Sequence, residues 1–152
     1  MENVYKYLDL VATSIAADIV PLDGENRILA FFGLERINKN PRPGVQALID
    51  VSGLKSKLQV NDLVFRLGPR INAAGRIASG KVAVEMLIAS SLDEASRIAK
   101  VVNENNADRQ GYDSNITQQA LDMIEQNEEL IQMKSTVLFH REWHKGVIGI
   151  VA

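Results

Sequence analysis

The chain has 152 residues, a formal net charge of −2 and no cysteine. This length fits a single domain with a substantial core, and the small negative charge excludes a general attraction to nucleic acid, so such binding would need local basic patches. The lack of cysteine excludes disulfides and thiolate metal sites and agrees with a reducing compartment. No apolar run reaches the roughly 20 residues that span a bilayer, and no signal peptide begins the chain. We therefore expect a soluble, cytoplasmic protein that does not bind membranes.

Apolar residues recur every three or four positions along the N-terminal half, which is typical of amphipathic helices. Pro21 ends the first apolar face, Asp23 to Asn26 form a predicted turn, and Gly53 follows the third face. The pattern predicts helices near residues 7–19, 28–37, 45–51, 60–67 and 82–89.

Between these helices lies the stretch from Leu67 to Arg76, which combines a glycine–proline pair, small side chains and two arginines. Gly68 and Pro69 predict a break in regular structure. Arg70 and Arg76 carry planar sets of donors that suit phosphate or carboxylate. The stretch therefore predicts an anion-binding loop, and an ordinary loop whose arginines form structural ion pairs is the alternative.

The longest predicted element runs from about Leu92 to about Asn127. Ser91 and Glu94 have the spacing of a capping box, which marks a helix start. The apolar stripe becomes polar around residues 103–110, so the helix is either one connector that bridges two bodies through solvent or two helices that break near Gly111.

Residues 135–140 follow as the most strand-like segment, and the sequence ends on an apolar run from Gly146 to Ala152. One strand does not make a sheet, and domains seldom end on an apolar run. We therefore expect a piece of a longer protein, mainly α in itself, with a short β element near its C-terminus where a second domain begins.

Several stretches occur in the order found in the RecJ-type exonucleases of the DHH phosphoesterase family, which the chain resembles over almost its whole length. They are Leu8 to Leu10 with Ala16 to Leu22 and Gly24 to Arg27, then Arg42 to Gly44, Leu67 to Arg76, and Trp143 to Ala152.

The resemblance implies an α/β parent in which residues 1–90 are the C-terminal part of the DHH catalytic domain, 91–130 the interdomain connector helix and 131–152 the start of the DHH-associated C-terminal domain. It also implies hydrolysis of single-stranded DNA from 5′ to 3′ by a centre of two Mn²⁺ or Mg²⁺ ions, in DNA repair and recombination. Paired hard cations need several oxygen ligands.

The same resemblance assigns roles to individual residues. Asp18 matches the last metal-binding aspartate of the family, whereas the residues alone suggest a helix-terminal aspartate without a metal role. Arg70, Asn72 and Arg76 match a loop near the active-site cleft, where the arginines would bind phosphate or form ion pairs and Asn72 would position the backbone.

Further along the chain, Arg109 and Gln110 could line the same cleft, although a solvated helix face is the alternative. His144 matches a tryptophan–histidine pair of the family, with a structural or substrate-proximal role. His140 and His144 are four residues apart, but His140 follows a strand pattern, so we do not expect them to form a metal site. Trp143 could stack on a base or belong to the core.

The sequence contains neither the Asp-His-His triplet nor the other aspartate motifs of the family. We therefore expect the chain by itself to bind Mn²⁺ or Mg²⁺ weakly and to lack nuclease activity. Its full-length parent is expected to bind single-stranded DNA as a monomer, and the fragment could self-associate through its connector helix. The alternatives are a DHH-family phosphodiesterase that acts on oligoribonucleotides or cyclic dinucleotides, and a non-catalytic helical interaction module.

Overall fold

The computed structural model describes residues 2–18 and 20–152, with side chains from Val4 onward in those ranges. Ile19, at the predicted end of the first helix, lies outside the described residues. The helices are α1 (Glu2–Tyr5), α2 (Leu8–Ala17), α3 (Gly24–Lys39), α4 (Pro43–Ser52), α5 (Val60–Asp62), a π-helical turn (Leu63–Leu67), α6 (Gly68–Ile77), α7 (Gly80–Ile88), α8 (Leu92–Glu125), α9 (Glu128–Gln132) and α10 (Ile148–Val151). The prediction of a mainly α chain is confirmed.

Several helix ends follow local sequence signals. α4 begins at Pro43, where the missing N–H is tolerated, and ends before Gly53, whose φ of 73° is left-handed. The Ser79 hydroxyl caps α7 by accepting a hydrogen bond from the Lys81 N–H at 3.3 Å. The predicted turn at residues 23–26 is wrong in part, because α3 already begins at Gly24, whose φ is 44°.

The predicted loop at Leu67 to Arg76 is wrong, because this stretch forms α6 and continues directly from the π-helical turn. Pro69 lies in the first turn of α6, directly after the π-helical turn, and the Gly68 N–H still bonds to the Leu63 oxygen of that turn. Gly68 allows close packing, since a Cβ there would lie 3.2 Å from the Ala17 Cα. Glycine and proline therefore lie at the junction of the π-helical turn and α6 and do not end the helical run.

The longest predicted element is one helix, α8, of 34 residues, so the alternative with a break at Gly111 is wrong. The Ser91 Oγ accepts a hydrogen bond from the Glu94 N–H at 3.3 Å, and the Glu94 carboxylate accepts one from the Ser90 N–H at 3.3 Å. Helix α8 is therefore capped as the sequence predicts, except that the Glu94 carboxylate accepts from the N–H of Ser90 and not from that of Ser91.

The short β element predicted at residues 135–140 does not form, since residues 136–140 lie in no helix or strand. A strand is defined by hydrogen bonds to a neighbouring strand, and the part of the chain that the structure describes contains none.

The chain divides into two compact units, Met1–Asn106 and Ala107–Ala152. The first unit holds the main hydrophobic core, to which α2, α3, α4, α6, α7 and the first part of α8 contribute. Close helix contacts depend on glycine at two positions: Gly33 lies against the backbone of α2 and Gly44 against the backbone of α7, where a Cβ would overlap. These contacts hold α2 against α3, and α4 against α7.

Candidate functional site

A cleft of about 750 Å³ lies in the first unit, between the C-terminal part of α2 and helices α6 and α7. Its polar lining includes Asp18, directly after α2, together with Asn72 and Arg76 from α6. Thr13 and Ser14 of α2 and apolar side chains of α2, α6 and α7 line the remainder. Asp18, Asn72 and Arg76 are exposed. The fold therefore brings together the predicted metal ligand and two of the three predicted cleft residues, with a carboxylate and a guanidinium on one surface.

Asn72 ties α6 to the end of α2. Its side-chain Nδ2 donates a hydrogen bond of 2.9 Å to the backbone oxygen of Ala17, which is 55 residues away in sequence. This oxygen is among the last carbonyls of α2, which lack partners within the helix. The bond holds the backbone immediately before Asp18. Asn72 was expected to position the backbone of its own loop, and the structure shows that it holds the backbone of another helix.

Arg70 has a different environment. Its Nε donates a hydrogen bond of 2.9 Å to the Asn103 side chain on α8, and its Nη1 donates one of 2.6 Å to the backbone oxygen of Arg66. Burial, together with the nearby positive charge of Arg66, lowers the pKa of the Arg70 guanidinium from its ordinary value. Arg70 thus ties α6 to α8, whereas Arg76 lines the cleft.

A buried ionic cluster at the start of α2 is the polar feature to which the sequence reasoning gave no role. The Asp9 carboxylate is fully buried and accepts two hydrogen bonds of 2.8 Å from Nε and Nη2 of Arg42, which precedes α4. The Leu10 N–H donates a further bond of 2.9 Å to Asp9, and the Nε of Arg36 lies 3.7 Å from it. The sequence signal for this cluster was Asp9, a charged residue inside the apolar run of α2. Its partner Arg42 lies 33 residues away and could not be predicted from spacing.

This cluster and the Asn72 bond hold α2 at opposite ends. Arg42 also donates a hydrogen bond of 2.7 Å to the backbone oxygen of Lys6, just before α2. A buried carboxylate is tolerated when an arginine binds it through two parallel bonds, as here. The position of Asp18 at the cleft therefore depends on a helix that is fixed at both of its ends.

The remaining predicted residues lie in the second unit. Arg109, whose side chain is mostly buried, forms an ion pair of 3.3 Å with Asp113 one turn along α8. The His144 ring stacks on Tyr112 with a centroid distance of 5.0 Å, and its Nδ1 accepts a hydrogen bond from the Gly146 N–H at 3.2 Å. The Trp143 indole N–H donates to the Gln119 side chain at 2.8 Å. These contacts fix the segment after residue 140 to α8 within this unit.

Metal chemistry of the predicted kind needs more ligands than the described residues supply. In residues 2–18 and 20–152, no group of three or more histidine, cysteine, aspartate or glutamate side chains is placed to hold a metal ion. Asp18 is the carboxylate that lines the cleft. The residues in the described cleft therefore do not form a two-metal centre by themselves.

Within residues 2–18 and 20–152, no helix is both long and apolar enough to cross a membrane.

Comparison with known proteins gives consistent results for sequence and fold. No family model matches the chain. It is 40% identical over 154 residues to the single-stranded-DNA-specific exonuclease RecJ of Salmonella typhimurium, covering 99% of this chain and 27% of that protein. It is 38% identical over 146 residues to RecJ of Bacillus subtilis, covering 95% of this chain and 18% of that protein.

The fold comparison finds solved RecJ structures. A crystal structure of exonuclease RecJ bound to manganese matches with a TM-score of 0.84 at 32% identity, over 97% of this chain and 37% of that one. RecJ from Thermus thermophilus in complex with Mn²⁺ matches with a TM-score of 0.83, over 97% of this chain and 22% of that one. The resemblance to the RecJ-type single-stranded-DNA-specific exonucleases is thereby confirmed, for a segment about a quarter as long as the first of these relatives.

Proposed function

We propose that the chain is a segment of a metal-dependent, RecJ-type exonuclease that hydrolyses single-stranded DNA from 5′ to 3′ in DNA repair and recombination. The observation that carries the proposal is the cleft lined by Asp18, Asn72 and Arg76, in a chain that matches manganese-bound RecJ over 97% of its length. A carboxylate for a hard cation and a guanidinium for a phosphate are the groups that phosphodiester hydrolysis requires.

The residues of the cleft would have distinct roles. Asp18 would contribute one oxygen ligand to a Mn²⁺ or Mg²⁺ centre, and Arg76 would bind a phosphate of the DNA backbone without reading sequence. Asn72 supports the site indirectly through its bond to the Ala17 oxygen. Arg70, which binds Asn103 on α8, has a structural role. For Arg109, paired with Asp113, and for His144, stacked on Tyr112, we infer structural roles in the second unit.

The other metal ligands would come from elsewhere in a longer polypeptide. One carboxylate in the cleft binds a divalent cation weakly, so the 152-residue chain alone should have low affinity for Mn²⁺ and no nuclease activity. When bound in the complete protein, the ions would stabilise the attacking and leaving oxygens of the scissile phosphate.

At the level of the whole protein, residues 1–90 would end the catalytic domain, 91–130 would connect the domains and 131–152 would begin the C-terminal domain. We place the parent in the cytoplasm, as a monomer that acts on single-stranded DNA. The comparisons do not support a phosphodiesterase for oligoribonucleotides or cyclic dinucleotides, or a non-catalytic helical module.

A chimera tests the proposal directly. This chain replaces the matching segment of Salmonella typhimurium RecJ, to which it is 40% identical. The purified chimera should degrade 5′-labelled single-stranded DNA in the presence of Mn²⁺. Asp18→Asn in the chimera should abolish the activity, whereas Asp50→Asn, at an exposed position on α4 that accepts a bond from Gln46, should leave it unchanged. A folded chimera without activity, or one that tolerates Asp18→Asn, would contradict the proposal.

A further inference from the structure

The cleft between α2, α6 and α7 has an apolar wall on α7, formed by Val84 and Ile88, to which the proposed nuclease roles give no function. These two side chains lie one turn apart and both line the cleft. Val84 is 55% exposed and Ile88 is 64% exposed, and neither belongs to the described hydrophobic core. The buried side of α7 is formed by Ala83 and Met86. The packing of α7 therefore does not require an apolar side chain at either position of the wall.

The same cleft carries polar side chains at a matching spacing on α6. Asn72 and Arg76, one turn apart on that helix, line the cleft together with the apolar wall of α7. Exposed apolar groups beside a few polar groups in a cavity are typical of ligand sites. Within the described residues no aromatic side chain lines the cleft, so a base has no ring on which to stack there. The part of a nucleotide that suits the apolar wall is therefore its sugar.

The sugar is the group to which the phosphate of a nucleotide is directly joined. With a phosphate bound to Arg76, the attached sugar lies in the same cleft, whose volume of about 750 Å³ is within the range of small-molecule sites. Ribose carries a hydroxyl at C2′, which both donates and accepts hydrogen bonds, whereas deoxyribose carries only hydrogen there. Val84 and Ile88 have no side-chain atom that can bond to a hydroxyl. A hydroxyl buried against them loses its bonds to water without replacement, which is unfavourable.

We propose that Val84 and Ile88 contact the sugar of the bound strand and select deoxyribose over ribose. This role rests on the proposed function, because it needs the phosphate at Arg76, but it adds a specificity that a metal ligand and an arginine do not supply. Of the two hydroxyl side chains of α2 in the cleft, that of Thr13 already donates to the Asp9 backbone oxygen at 2.7 Å. An apolar site rejects a ligand that merely adds a hydroxyl by about 100-fold, so we expect a preference of about 10- to 100-fold for deoxyribose.

The 152-residue chain itself provides a test that requires no nuclease activity. 2′-Deoxyuridine 5′-monophosphate and uridine 5′-monophosphate, which differ only in the 2′-hydroxyl, are titrated to millimolar concentration while the methyl NMR signals are recorded. The Val84 and Ile88 signals should shift, with a dissociation constant about 10- to 100-fold lower for the deoxy compound. The Val101 signal, from an exposed side chain of α8 outside the cleft, should not shift. Equal affinities for the two nucleotides, or no shift at Val84 and Ile88, would overturn the proposal.

Val84→Thr with Ile88→Thr tests the same contact in the active chimera. The double variant keeps the branching at Cβ but gives the wall two hydroxyl groups that can bond to ribose. Rates of hydrolysis and affinities are compared for single-stranded DNA and RNA of the same sequence, and the DNA-to-RNA ratio should fall about tenfold. Val101→Thr is the matched control and should leave the ratio unchanged. Both α7 positions are exposed, so the helical circular dichroism spectrum should not change.

The outcomes distinguish the sugar contact from the proposed nuclease function. An active chimera whose DNA-to-RNA ratio does not respond to the double threonine variant would overturn the sugar contact and leave the nuclease assignment intact. A ratio that changes with Ser14→Ala, and not with the α7 variant, would overturn the contact as well, because a hydroxyl of α2 would then select the sugar. An inactive chimera, combined with a deoxy preference in the NMR titration, would contradict the nuclease function and support the sugar contact.

Discussion

Arg42→Ala should destabilise the first unit strongly, because it leaves the Asp9 carboxylate buried without its main partner. Asp9 is 0% exposed and loses two charge-assisted bonds of 2.8 Å, while the Leu10 N–H at 2.9 Å and Arg36 at 3.7 Å remain. Removing one partner of a buried pair costs about 3–5 kcal/mol. Since partial compensation remains, we expect a value near the lower limit, about 3 kcal/mol. For a unit of this size, that loss corresponds to a decrease in Tm of roughly 10–25 °C.

The assay is urea unfolding followed by circular dichroism at the helical band, with the unmodified chain as reference. Lys39→Ala is the matched control, since the ion pair of Lys39 with Glu35 is short, at 2.6 Å, but exposed. Its removal should cost about 0–1 kcal/mol. A double-mutant cycle that combines Arg42→Ala with Asp9→Asn should give a coupling energy of about 1–3 kcal/mol between Asp9 and Arg42. If Arg42→Ala costs no more than Lys39→Ala, the ionic cluster does not hold α2 and the reasoning is refuted.

Three further predictions concern packing, phosphate binding and the second unit. Gly33→Ala should lower the free energy of unfolding in urea by about 1–3 kcal/mol, because a Cβ there overlaps the backbone of α2. Gly111→Ala, which has open space around it, should stabilise α8 by about 0.5–1 kcal/mol. Similar effects at both sites would contradict the packing account. Arg76→Glu in the active chimera should weaken binding of single-stranded DNA, measured by fluorescence anisotropy, and reduce the slope of the logarithm of the binding constant against the logarithm of salt concentration. An unchanged slope would indicate that Arg76 has a structural role. Trp143→Phe removes the hydrogen bond to Gln119 and should lower the stability of the second unit by about 0.5–1.5 kcal/mol. Hydrogen exchange of the amides in this unit measures the change. Unchanged exchange would show that the bond does not hold the segment around Trp143 to α8.

The sequence predicted those parts of the fold that depend on local signals. Pro43 and Gly53 mark the ends of α4, and the spacing of Ser91 and Glu94 marks the start of α8, because capping and backbone preferences act over a few residues. The same local reasoning was wrong at Gly68 and Pro69, since the backbone runs through both residues from the π-helical turn into α6.

The candidate site could be predicted only in part from sequence. The resemblance indicated Asp18, Asn72 and Arg76 as residues of one cleft, but the bond from Asn72 to the Ala17 oxygen joins residues 55 apart and depends on how α6 packs against α2. The pair of Asp9 and Arg42 was missed for the same reason. For residues 135–140 local propensity predicted a strand that the described chain does not contain, because a strand also needs a partner strand, which local propensity does not supply.

The most direct test of the central claim is the position of manganese relative to Asp18. Crystals of the active chimera soaked in Mn²⁺ would be measured near the manganese absorption edge, and the anomalous difference map would locate the ions. We predict a manganese peak in direct coordination with the Asp18 carboxylate, in the cleft that Asn72 and Arg76 also line. Manganese bound in the chimera without contact to Asp18 would contradict the assignment of this cleft to the nuclease site.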